Sequence, residues 1–139
     1  MKVLIDTNII LDVALERQPF YSDSQQVLSQ IYRQQIDGYI SASTFSDIYY
    51  IIRREIGRES TIDFLRRITT FCQVATVDSS AIAMALAANF RDFEDAIQYS
   101  TAVVNQLEAI VTRNPQDFPV VTPRILTPSQ LLQELTNSQ

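Results

Sequence analysis

Three apolar residues followed by a carboxylate, Val3-Leu4-Ile5 and then Asp6, constrain this chain more than any other feature. The run is β-rich and lacks period-two alternation, as expected of a strand buried on both faces. It breaks at Asp6-Thr7-Asn8, and Ile9, Ile10, Leu11, Val13 and Leu15 then open a second apolar stretch. A strand buried on both sides needs helices above and below it. Asp6 has two readings. Either it or Thr7 caps the next helix, or it stands at the crevice that open α/β sheets form beyond their strand ends.

Strand-like runs at residues 2–5, 38–41, 74–77 and 109–112, with weaker ones at 120–122 and 125–126, alternate with helical patterns. The helices are expected at about 19–36, 43–56, 60–71, 79–90, 94–107 and 129–135, with Gly57 as the stop between the second and third. Thr127-Pro128 is a cap-then-proline start for the last. This alternation predicts a three-layer α/β/α fold with a central, mainly parallel sheet of four to five strands. Residues 1–139 read as one domain, without repeat, linker or low-complexity segment.

Composition narrows the chemistry. Histidine is absent, so there is no Ser-His-Asp triad, Cys-His pair or imidazole-bound zinc. Lys2 is the only lysine, and Gly38 and Gly57 are the only glycines, which removes Schiff-base chemistry and glycine-rich phosphate loops. The single Cys72 cannot form an internal disulfide and suits a reducing cytoplasm. No apolar run reaches the roughly 18 residues of a membrane span, and Asp6 interrupts the only signal-like stretch. A net charge of −5 argues against whole-surface attraction to nucleic acid but leaves a local basic patch open. An enzyme built from this chain must use carboxylates, hydroxyls and amides, most naturally around an oxygen-liganded Mg²⁺ or Mn²⁺.

Four acids are candidates, and each also has a structural explanation. In 43–56, Phe45, Ile48, Tyr49, Ile52 and Ile56 share one helix side, while Ser43, Asp47, Tyr50 and Arg54 share the other. That polar side faces either water or a cleft. In N-F-R-D-F-E-D-A, Asp92 reads as an N-cap with Asp95 at the third helical position, yet three acids in four residues exceed the need of one helix end. The buried stripe of that helix is expected at Ala96, Val103, Val104 and Leu107, with Asp95, Gln98 and Tyr99 on an adjoining face. Asp78 reads simply as a cap. Asn114-Pro115 is a helix start with Asp117 in its first turn, and it also sets a carboxylate just past a second buried strand.

Taken together, D-T-N-I-I-L-D, S-T-F-S-D-I-Y-Y, F-E-D-A-I-Q-Y and V-T-R-N-P-Q-D-F resemble the PIN-domain nucleases over essentially the whole chain. Within that family the chain looks most like the small bacterial VapC-type toxins. The resemblance implies that Asp6, Asp47, Asp95 and Asp117 hold Mg²⁺ or Mn²⁺, and that Asn8, Thr112 and Asn114 orient the acids or a metal-bound water. Asp47 departs from the family, which often has glutamate there, so a place behind a water is implied for it. The resemblance also implies a ribonuclease that hydrolyses RNA phosphodiesters through a metal-activated water, a small antitoxin partner, and a homodimer.

Crowded carboxylates without lysine or histidine repel one another, and a divalent cation relieves that conflict. RNA approaching such a pocket needs a basic rim. Arg54, on the Asp47 helix side, and Arg113, next to an acid-bearing strand end, are the candidates. Two competing readings are a non-catalytic PIN-fold RNA-binding or scaffold module, and a haloacid-dehalogenase-type phosphatase using Asp6 as nucleophile. The latter wants Asp-x-Asp and a later lysine, where this chain has Asn8 and only Lys2.

Overall fold

A computed structural model describes residues 1–138. Five strands form one all-parallel sheet: β1 (Lys2–Ile5), β2 (Asp37–Ser41), β3 (Gln73–Ala75), β4 (Ala109–Val111) and β5 (Arg124–Leu126). Their spatial order is β3-β2-β1-β4-β5. The chain winds outward from β1 through β2 to β3, then crosses back to lay β4 on the other side of β1. Val3, Leu4 and Ile5 pair with Ala109, Ile110 and Val111, while Val3 and Leu4 also pair with Gly38 and Tyr39. β1 is therefore central, which explains why its residues 3–5 are apolar without alternation.

Among the described residues seven α-helices flank the sheet: α1 (Thr7–Ala14), α2 (Tyr21–Tyr32), α3 (Phe45–Ile56), α4 (Arg58–Ile68), α5 (Ser79–Ala87), α6 (Phe93–Val104) and α7 (Pro128–Asn137). Successive strand residues point to opposite faces, and the core divides accordingly. Val3, Ile5, Ala109 and Val111 join Ile9, Ile10, Val27, Ile48, Ile52 and Leu131 from α1, α2, α3 and α7. Leu4 and Ile110 point the other way, toward Ala102 of α6, Leu107 and Phe118. α5 packs on the outside of α6. This is the expected three-layer arrangement, with five strands, and no described helix is long and apolar enough to cross a membrane.

The boundaries differ from the sequence reading for identifiable reasons. The run at 120–122 is not a strand: Val121 is almost wholly exposed, and Pro119 and Pro123, which lack an N–H, bracket it. α2 stops at Tyr32, just before Gln34 takes a positive φ of 61°. Gly57, with φ 84°, ends α3 and starts α4 two residues earlier than expected. The buried residues of α6 are Ala96, Gln98, Ser100, Thr101 and Ala102 rather than a Val103–Val104 stripe, and Val103 is exposed. A helix wedged between a sheet and α5 must be covered on two sides, so small and hydrogen-bonding residues replace bulky ones there. α7 opens with a reciprocal capping box between Thr127 and Gln130, which fixes its start at Pro128.

Candidate functional site

The connectivity reverses between β1 and β4, so the chain leaves these neighbouring strands in different directions and opens a crevice beyond their C-terminal ends. Asp6 follows β1 directly. Its N–H is donated to Val111 O at 3.0 Å, which extends the β1–β4 ladder by one bond. By backbone position Asp6 is the N-cap of α1, yet its side chain caps nothing. The carboxylate turns instead into the crevice, where Gln98 Nε2 of α6 donates to Oδ1 at 2.7 Å and Thr112 Oγ1 donates to Oδ2 at 2.8 Å. Thr112 Oγ1 in turn accepts the Asn114 N–H at 3.1 Å. These bonds fix the Asp6 carboxylate without supplying a positive charge, and each oxygen keeps a lone pair free.

The other acids reach the crevice from three more elements. A 3-10 turn, Ala42–Thr44, carries the chain from β2 into α3, so Asp47 lies in the first turn of α3. Asp47, Tyr50, Ile51 and Arg54 line the cleft at helical spacing, while Ile48 and Ile52 are fully buried behind them. At the start of α6, Asp92 Oδ1 accepts the N–H groups of Glu94 and Asp95 at 2.8 and 3.1 Å. Asp92 thus does the capping and leaves the Asp95 side chain free to face the cleft. Asp117 closes the 3-10 turn Pro115–Asp117 that follows β4.

The result is a cavity of about 570 Å³ lined by Asp6, Asn8, Asp47, Asp95, Asn114 and Asp117, together with Asp92, Glu94 and Gln98. Four acids distant along the polymer share one space. A second hollow of about 550 Å³ shares Asp92, Asp95 and Asp117 with it and adds Asn89 and Arg91. Burial, followed by the neighbouring charges of Asp6, Asp92, Asp117 and Glu94, pushes the Asp95 carboxyl up to about 7. Glu94 is shifted upward as well, by burial and then by Asp47 and Asp92. Among the described residues no three of these carboxylates are placed so that they could already hold a metal ion together. The donor set nonetheless suits a hard divalent cation in kind: it offers oxygen ligands only, and added positive charge would favour the ionised form of Asp95.

Thr112 sits behind Asp6 rather than on the cavity wall. Arg54 reaches the cleft. Arg113 does not line it: its Nε lies 2.8 Å from Asp12 Oδ2, and its guanidinium carbon sits 3.8 Å above the Phe20 ring. Asp12 is fully buried on α1 and also accepts from Ser24 Oγ at 3.2 Å. Burial raises its pKa, against the opposing pull of the Arg113 guanidinium. The sequence reading assigned no role to Gln98 or Asp12. Gln98 was signalled by its helix face, one turn after Asp95, and Asp12 by an acid set inside an apolar periodic run. Cys72 is buried, and burial pushes its thiol up to about 12, so it is not a nucleophile. Asp78 caps α5 as expected, accepting from Ala81 N–H at 2.9 Å.

Comparison with known proteins agrees with this architecture. Residues 2–116 match the sequence model of the PIN domain. Ribonuclease VapC1 of Aquifex aeolicus is 24% identical over 106 residues, which cover 73% of each chain. Among solved structures, a toxin–antitoxin complex from Klebsiella pneumoniae superposes with a TM-score of 0.68 at 22% identity, covering 91% of this chain and 97% of that one. VapBC2 from Rickettsia felis, bound to a DNA fragment from its promoter, gives 0.68 at 15% identity with the same coverage.

Proposed function

Because the chain belongs to the PIN-domain family, we propose that it is a metal-dependent endoribonuclease, the toxin of a bacterial toxin–antitoxin pair acting in the cytoplasm. One observation carries this reading: Asp6, Asp47, Asp95 and Asp117 converge on one cleft at the reversal of strand order. The likeness to a protein named a ribonuclease supports RNA as the substrate. Asp6, Asp95 and Asp117, with Asp47 beside them, would hold Mg²⁺ or Mn²⁺. Such an ion would supply Lewis acidity and a more acidic water as the nucleophile for phosphodiester hydrolysis.

The chain's own residues do the rest. Gln98 and Thr112 hold the Asp6 carboxylate in one rotamer, so its charge is aimed before substrate arrives. Asn114 and Asn8 offer amide groups at the cleft wall for orienting water or phosphate. Arg54 lines the cleft and Arg91 the adjoining hollow, so RNA lying across both meets a cation in each. Tyr50, exposed beside Arg54, is placed to stack on an unpaired base.

An antitoxin is the partner class, supported by relatives solved as toxin–antitoxin complexes. A groove of about 750 Å³ between the α1–α2 and α3–α4 pairs, with Leu28, Tyr32, Phe64 and Phe71 on its walls, offers such a partner an apolar seat. α1 and α3 border both this groove and the cleft, so an occupant of one lies close to the other. A homodimer is the expected assembly, to be read from its mass in solution.

The test is RNA cleavage by the purified chain. Activity is expected with Mg²⁺ or Mn²⁺, and its loss with a chelator and in Asp6→Asn and Asp95→Asn. Cleavage that needs no metal and survives both substitutions would overturn the reading.

A further inference from the structure

Arg113 stands between Thr112, which bonds Asp6, and Asn114, which lines the cleft. Its side chain leaves the site and runs back along α1 to the fully buried Asp12. Three elements grip it there: Asp12 of α1, the Phe20 ring in the α1–α2 connection, and α2 through the Ser24 hydroxyl on the same Asp12 oxygen. Asp6 and Asp12 lie six residues apart at the two ends of one rigid turn-and-a-half, on the order of 9 Å along the axis. We propose that the Asp12–Arg113 ion pair is a positioning device, setting the loop after β4, with Asn114 and Asp117, in register with Asp6.

The pair is poorly built for stability. Asp12 Oδ1 has no partner, and the Arg113 Nε–H finds no acceptor in line although Oδ2 is close. A buried ion pair with unmet bonding capacity is commonly no better than an apolar pair of the same volume. What it provides is direction: a planar cation between one carboxylate and one ring face admits few placements of the peptide that bears it. That peptide links the two sides of the cleft. Asp6 is hydrogen-bonded to the β4 end through Thr112 and the β1–β4 ladder, and Asp117 lies four residues beyond Arg113. Without the tie, the 3-10 turn carrying Asp117 is anchored by its own short-range bonds and by Phe118 in the core.

The catalytic half of this proposal rests on the ribonuclease reading; the local-order half does not. The decisive variant is the double substitution Asp12→Leu with Arg113→Met, which replaces the pair by apolar side chains of similar size. Two readouts are needed: amide hydrogen exchange of residues 109–118, and steady-state RNA cleavage with Mn²⁺. The variant is expected to melt near the parent temperature. Exchange at the Asn114 amide should accelerate at least about tenfold, and kcat should fall about tenfold with KM changed less than about twofold. Parent-like exchange and parent-like kcat in a folded double variant would overturn the proposal. Faster exchange in 112–117, with the parent itself inactive on RNA, would uphold the tie and refute the ribonuclease reading instead. Should the double variant not fold, Arg113→Lys keeps the charge and removes the planar fork. It is expected to show the same local acceleration and kcat loss, and parent values in it would also overturn the proposal.

Discussion

Asp6 stands at the N-cap position of α1 and Asp12 within the same helix, and both are buried, yet the chain treats them oppositely. Asp12 faces a guanidinium and a hydroxyl inside the fold. Asp6 faces an amide and a hydroxyl, with Asp95 near enough for the two charges to disturb one another. The first carboxylate has its counter-charge built in. The second is held rigid and left without one, beside three further acids of the site. The difference teaches where the fold leaves its carboxylates without an internal cation, and the effect is read at Asp95, whose carboxyl burial and the neighbouring acids push up to about 7. The Asp12 pocket is closed chemistry, and the Asp6 cleft is open chemistry.

Breaking the closed side has the largest effect. Asp12→Ala strands Arg113 without its carboxylate, and urea denaturation is expected to register a loss of about 3–5 kcal/mol. The open side responds with the opposite sign. The Asp95 carboxyl titrates near 7 in the folded chain against 3.8 unfolded. Between those values the native state binds more protons than the unfolded one. The Asp95 contribution to stability therefore falls as pH rises through roughly 4 to 7 and is level above. After discounting for solvent screening, Asp95→Asn is expected to stabilise the metal-free protein by on the order of 1–2 kcal/mol at pH 8. At pH 4 the gain should vanish, and an Asp95→Asn stability–pH curve parallel to the parent's would contradict it.

A counter-ion should do the same work without mutation. Mn²⁺ at ten times its dissociation constant stabilises by about 1.4 kcal/mol, and thermal melts are expected to rise accordingly in the parent but not in Asp95→Asn. The smallest effect belongs to the rim. Arg54→Ala removes one exposed cation beside the acids, so KM for RNA should rise about three- to fivefold at low salt with kcat nearly unchanged, and the difference should shrink at high salt.

Much of this was legible in the chain. Residues 3–5 announce a central strand because a two-sided environment forbids alternation. Asp78, Asp92 and Thr127 were readable as caps because capping is a local bond between a side chain and amides two or three residues on. The weak run at 120–122 misled because apolar content carries no information about whether a ladder partner exists. The α6 stripe misled because periodicity records one buried side, and α6 has two. Arg113 looked like a phosphate ligand by its neighbours in sequence, while its side chain is long enough to leave them and pair with Asp12.

By itself the sequence determined the parallel three-layer plan, the absence of histidine and near absence of lysine, and thus a chemistry limited to oxygen donors. Only the tertiary structure decided which acids meet, that Asp6 turns from cap position into the crevice, and that Gln98 rather than a cation holds it. The physical reason is range. Propensity, capping and apolar period act over a few residues, whereas the partners of Asp6 lie 92 and 106 residues away and are brought to it by strand order alone.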